Sequence, residues 1–183
     1  MLYAFGFDRV SVLVSDLYFV DPAPGKGQDS AERGVRLEVR MLERGELKGS
    51  IYSAQPIGIG QPVWRADLLE SVDSPPGSLD RAHHHPAFTG WEPGHRVFDE
   101  RLSAGPVAWV GEQLSDLRAL LSRAGLETNE MLAADAESLR GYVPEIMAAV
   151  QGLLDRVKAG ELATAPAASP GAAPLISARV GWL

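Results

Sequence analysis

The sequence predicts an α+β fold: an N-terminal antiparallel sheet of four to six strands, a C-terminal helical part packed against it, and an extended C-terminal tail. Three observations predict it. Apolar residues recur at every second position through much of the first hundred residues, they recur at steps of three and four after Gly105, and clusters of proline and glycine separate the segments.

In the first strand Val10, Val12 and Val14 alternate with Ser11, Leu13 and Ser15, and Leu17 and Phe19 continue the rhythm, so 9–20 has one face to bury. Asp21-Pro22-Ala23-Pro24 ends it. Val35, Leu37, Val39 and Met41 alternate with Arg36, Glu38 and Arg40, which places three charges on a face expected to be solvated. A turn at 43–46 then returns the chain, with 47–55 as the expected partner strand and 56–62 as a break. Trp64, Ala66 and Leu68 alternate with Arg65 and Asp67 as a further strand, closed by Ser74-Pro75-Pro76-Gly77. Residues 78–104 hold Pro86, Gly90, Pro93 and Gly94 and are expected to form an irregular surface loop.

Pro106 suits a first helical turn, and Val107, Val110, Leu114, Leu117 and Leu121 then define an amphipathic helix that Gly125 stops. Thr128 or Asn129 can cap a second helix reaching about Arg140, where Gly141 and Pro144 are expected to interrupt. Ile146, Val150, Leu153 and Val157 form a third apolar stripe ending near Gly160. Residues 1–160 therefore read as a single α+β domain, mainly β over 1–104 and helical over 105–160. An Ala/Pro-rich linker follows at 161–174, and the apolar tail at 175–183 can dock on its own sheet or on another copy.

Composition narrows the function classes. The chain has 183 residues, enough to bury a core, and a formal charge of -7, which argues against nucleic acid or an anionic membrane as partner. It has no cysteine, so disulfides, thiol nucleophiles and sulfur-bound clusters are excluded, and histidines and carboxylates are the only metal ligands available. No apolar run approaches the roughly 18 residues of a membrane span, and the first residues lack a leader pattern, so a cytoplasmic setting is expected. Arginine exceeds lysine fourteen to three in an Ala-, Gly- and Pro-rich chain, which points to a GC-rich bacterial gene. Gly58-Ile59-Gly60 opens no helix, Gly25-Lys26-Gly27 lacks the rest of a phosphate loop, and no Gly-x-Ser-x-Gly elbow occurs.

The chemistry concentrates in one segment. His83, His84, His85 and His95 are the only histidines and lie within thirteen positions, beside Asp80, Glu92, Asp99 and Glu100. Pro86 disfavours the helical region for His85, so 83–85 is extended. His83 and His85 then share one face, about 7 Å apart by their Cα atoms, while His84 faces the other way. Such a pair can chelate a divalent zinc, iron or manganese ion, with His95, Glu92 or Asp99 as third ligand and water in the open position. Glu92 and Asp99 are also the candidate proton acceptors of a catalytic site. Against this stands a packing role, in which histidines beside Phe88 and Trp91 pin an ordered loop to the sheet. Protonation of all four would move the formal charge from -7 to -3, so the segment could also respond to pH.

Over about nine residues, Gly77, five intervening residues, His83, one residue and His85 resemble the opening of the first cupin motif. That resemblance implies two metal-binding histidines in a β-barrel. The cupin glutamate should follow His85 after three or four residues, where this chain has Thr89 and Gly90. Two functions from different classes are thus expected: a non-enzymatic protein-binding or assembly module, and a divalent-metal-dependent enzyme, hydrolase or cupin-like, built on His83, His85 and His95.

Overall fold

The computed structural model describes residues 1–24, 30–126 and 130–166. Five strands, β1 (Leu2–Gly6), β2 (Val10–Phe19), β3 (Glu32–Arg44), β4 (Ile57–Ser71) and β5 (His83–His85), form an antiparallel meander in that spatial order. Among the described residues the sheet is open, with β1 and β5 as its outer strands, and does not close into the barrel that the cupin resemblance implies. A two-residue turn with Gly90 at φ 62° joins β6 (Phe88–Thr89) and β7 (Glu92–Pro93) as a small separate hairpin. The helices are α1 (Glu100–Ala104), α2 (Pro106–Ser115), α3 (Leu117–Arg123) and α4 (Glu130–Lys158). Among the described residues no helix is long and apolar enough to cross a membrane.

The alternation read in the sequence sets the core. Val10, Val12 and Val14 from β2, Val35, Leu37 and Val39 from β3, and Trp64, Ala66 and Leu68 from β4 are buried in one cluster with the helices. Helix α4 contributes Leu132, Ala136, Leu139, Ile146, Val150, Leu153 and Val157. Asp135, on the same helix, accepts hydrogen bonds from the backbone N–H groups of Asp8, Arg9 and Val10 at 3.0, 2.7 and 2.9 Å. This buried carboxylate fastens the helix to the β1–β2 turn.

Four expectations are corrected. Residues 47–55 form no strand, and the partner of β3 is β4, which begins at Ile57 and runs through the expected break. Pro62, which has no N–H, is accommodated where the β3–β4 register shifts beside Arg40. The helix expected from Val107 to Gly125 divides at Asp116, whose φ of -122° is non-helical and whose side chain accepts from the Ala119 N–H at 3.0 Å. Conversely, Gly141 and Pro144 do not interrupt α4. The stripe of Leu132, Ala136, Leu139, Val143, Ile146, Val150, Leu153 and Val157 keeps steps of three and four across them, and its burial outweighs one forgone hydrogen bond. Finally, 83–85 is a buried strand rather than surface loop.

Thr128, Asn129 and the tail at 175–183 lie outside the described residues. Of the segment read as a linker, Ala163 is buried and donates its N–H to Asp16 at 3.0 Å, and the same aspartate pairs with the amino terminus.

Candidate metal centre

The face of the sheet turned away from the helices is polar and covered. Strand pairing aligns Ser15, Arg36, Asp67 and His83 in one row across β2 to β5, and Leu13, Glu38, Arg65 and His85 in the next. Opposite charges thus fall next to one another across and along the strands. Arg36 makes a two-point contact with Asp67 at 2.7 and 3.3 Å, and Arg65 Nε lies 3.0 Å from Asp67 Oδ2. Glu38 is paired by Arg40 at 2.7 Å and approached by Arg65 at 3.9 Å. The expectation of a solvated charged face is therefore corrected, since Asp67 is 1% exposed and Glu38 8%.

The cover comes from the segment after β5. Phe88 lies over the Arg65 guanidinium at 5.6 Å, Trp91 over that of Arg40 at 5.5 Å, and the Phe98 ring is 5.5 Å from that of His83. Backbone bonds between His84 and Val97, at 3.0 and 2.9 Å, hold the returning chain against β5.

Alternation along β5 sends His83 and His85 to this face, with ring centroids 5.1 Å apart, and both residues are at most 3% exposed. His84 turns to the helices instead, 4.9 Å from the Trp109 ring. Each imidazole on the polar face is oriented by a backbone carbonyl. His83 Nδ1 donates to Arg81 O at 2.8 Å, and His85 Nδ1 donates to Gly94 O at 2.7 Å. With Nδ1 carrying the proton, the Nε2 lone pairs point inward, 3.5 and 3.7 Å from Asp67 Oδ2. His85 Nε2 also accepts from Arg65 Nη2 at 3.0 Å.

Burial holds both imidazoles neutral. It lowers the pKa of His83 despite Asp67 nearby, and it lowers that of His85 to about 4. Burial would raise the pKa of Asp67, but the guanidiniums of Arg36 and Arg65 outweigh it and keep the carboxyl below its ordinary range. Two neutral nitrogen acceptors and one carboxylate oxygen therefore face each other. The Arg65 guanidinium lies among them, on His85 Nε2 at 3.0 Å and beside Asp67 Oδ2 at 3.0 Å. Asp67, His83 and His85 offer ligand atoms all within 4.8 Å of one another, a grouping that could hold a metal ion.

The other residues singled out in the sequence stand elsewhere. His95 and Glu92 are exposed on the covering segment. Asp99 caps α1, accepting from the Arg101 N–H at 2.8 Å, and also accepts from Trp109 Nε1 at 3.2 Å. None of the three belongs to the Asp67–His83–His85 group. The residue that sequence reasoning passed over is Asp67. Its signal was present, because it alternates with Ala66 and Leu68, but a charged face reads as solvated until the segment covering it is seen.

No protein-family model, curated protein or solved structure matches the chain.

Proposed function

We propose that the chain binds one divalent transition-metal ion, zinc, iron or manganese, through Asp67, His83 and His85, and that the ion activates water in a metal-dependent hydrolytic reaction. The observation that carries this reading is the convergence of two carbonyl-oriented imidazole Nε2 atoms on a carboxylate oxygen. Carbonyls that fix the tautomer of metal-ligating histidines are a recurrent feature of such centres. Three protein ligands also leave coordination positions for water or substrate. Reaching those positions requires the segment carrying Phe88, Trp91 and Phe98 to move aside. Ligation by His85 also requires the Arg65 guanidinium to release Nε2, whose single lone pair accepts its hydrogen bond at 3.0 Å.

Elemental analysis of tag-free protein after dialysis tests the binding. One equivalent of metal is expected, and it is lost in the double variant His83→Ala with His85→Ala. Assays on chromogenic phosphate and carboxylate esters test the reaction, with turnover expected to vanish on chelation and return on adding the metal. Retention of metal by the double variant contradicts the site, and absence of turnover in the loaded protein contradicts the hydrolytic role.

A second reading is a non-enzymatic protein-binding or assembly module, and a separate observation favours it. The arm joining β3 to β4 exposes Leu47, Ile51 and Tyr52, and the start of β4 exposes Ile57 and Ile59, with Ile51 81% and Tyr52 91% accessible. Light scattering of the full chain and of a variant carrying Ile51→Ser and Tyr52→Ser separates the cases. A fall in mass supports self-association through the arm, and an unchanged monomeric mass rules it out.

A further inference from the structure

Among the described residues β1 and β5 are the outer strands of the sheet, and only one of them is covered. The outer side of β5 is met by the returning chain, where His84 and Val97 exchange backbone hydrogen bonds at 3.0 and 2.9 Å. No described segment lies beside β1 in this way. The Asp16 N–H donates to Met1 O at 3.4 Å and the Phe7 N–H to Val10 O at 2.9 Å, so Met1, Tyr3, Phe5 and Phe7 are the residues that bond β2. The N–H and C=O groups of Leu2, Ala4 and Gly6 therefore point to the open side. Such a row is a template for another strand. Apolar side chains stand open next to it, with Leu2 60% and Tyr3 41% exposed.

The chain comes back to this edge after α4. Ala163 is buried there and gives its N–H to Asp16, the residue whose own N–H reaches Met1. Residues 175–183, outside the described residues, begin about a dozen positions later, a length of chain that spans up to roughly 40 Å. The five residues of β1 extend only about 17 Å, so all of the strand is within reach. The sequence pattern also fits. Ile176, Ala178, Val180 and Trp182 alternate with Ser177, Arg179 and Gly181. In β1 Tyr3 and Phe5 stand opposite Val14 and Val12, which are buried against the helices, while Ala4 stands opposite Leu13 on the polar face. A strand beside β1 needs its apolar residues toward the helices, and an alternating segment supplies one such side.

We infer that the chain's own residues 175–183 add to the open side of β1 as a sixth strand of the sheet. A tether of about a dozen residues holds the two segments at an effective concentration on the order of millimolar, so in dilute solution the chain's own tail outcompetes that of a second copy. The pairing covers Tyr3 and removes a row of backbone groups at which two copies could join strand to strand.

Amide hydrogen exchange of the full chain tests this, read by NMR at a concentration where light scattering gives the monomer mass. The N–H groups of Ala4 and Gly6 are expected to exchange at least tenfold more slowly in the full chain than in a variant carrying Ile176→Asp and Val180→Asp. Those of Tyr3 and Phe5, which face β2, should be slow in both and so show that the variant is folded. Equal rates at Ala4 and Gly6 in the two proteins, whether fast or slow, overturn the inference. Protection that rises with protein concentration together with mass assigns the edge to a second copy and overturns pairing within one chain. Because the chain has no cysteine, a spin label on Ser177→Cys gives a second measurement with the apolar residues of the tail unaltered. Broadening of the Leu2, Ala4 and Gly6 signals ahead of those of β5 is expected, and broadening that spares β1 contradicts the pairing.

Discussion

The two faces of the sheet are built on the same strands and obey different physics. On the helix side Val12, Leu37, Ala66 and Leu68 are fully buried, and what they contribute grows with the apolar area removed from water. On the other side Asp67, His83 and His85 are buried almost as completely, but each polar group there had to be taken from water and repaired by a partner. A face serving stability alone would be built as well or better from apolar side chains, because a well-packed hydrophobic substitute for a buried ion pair is often neutral or stabilising. The proposed metal centre lies on this polar face, at the group of Asp67, His83 and His85.

The largest expected effect comes from breaking the polar face at its centre. Asp67→Ala leaves Arg36 and Arg65 without their shared carboxylate and should cost about 3 to 5 kcal/mol in urea unfolding, together with all metal binding. On the opposite face Leu37→Ala should cost about 2 to 5 kcal/mol through its cavity and leave metal affinity unchanged in the folded protein. Replacing Arg36 and Asp67 together by Met and Leu sharpens the contrast. It should recover most of the stability lost in Asp67→Ala and none of the metal binding. If Leu37→Ala weakened metal affinity as much as Asp67→Ala, the two faces would not be functionally distinct.

Acidification distinguishes the faces without mutation. The folded pKa values of His83 and His85 lie below the unfolded value, so the unfolded chain takes up protons first as pH falls. Their effect is negligible above about pH 6.5. Below that, stability declines as pH falls, because the unfolded imidazoles bind protons that the folded ones exclude. For His85 the decline ends near its folded value of about 4. Below the ordinary aspartate range the loss of Asp67's ion pairs adds to the decline, since its folded pKa is depressed. Denaturant midpoints between pH 8 and pH 4 measure this, and a midpoint flat across that range would contradict neutral burial of the imidazoles. Metal affinity should fall less from pH 7 to pH 5 than that of an exposed histidine pair, because burial lowers both imidazole pKa values. The smallest effect is expected for Glu92→Gln, which alters an exposed side chain and should shift stability by less than about 0.5 kcal/mol and leave metal binding intact.

Much of the fold was legible because periodicity reports directly on burial. The β2 alternation, the β3 alternation and the stripes of α2 and α4 all returned as core. The start of β4 was not legible, since Pro62 and the glycines at 58 and 60 read as a break, while the register shift that accommodates the proline is a property of the pair of strands. The division at Asp116 was missed because the apolar stripe continues across it, whereas its cap bond is local. Extension before Pro86 correctly put His83 and His85 on one face, but the third member of the group lies on a neighbouring strand. Alternation shows that Asp67 is opposite in phase to Leu68, and only the register Asp67 to His83 brings it to the imidazoles.

The proposed centre is tested most directly by zinc X-ray absorption on the full chain loaded with one equivalent of metal. Coordination by two imidazoles and a carboxylate oxygen is predicted, with one imidazole lost in His85→Ala. A spectrum with a single imidazole that is unchanged by His85→Ala and altered by His95→Ala would place the ion on the exposed segment and contradict the centre.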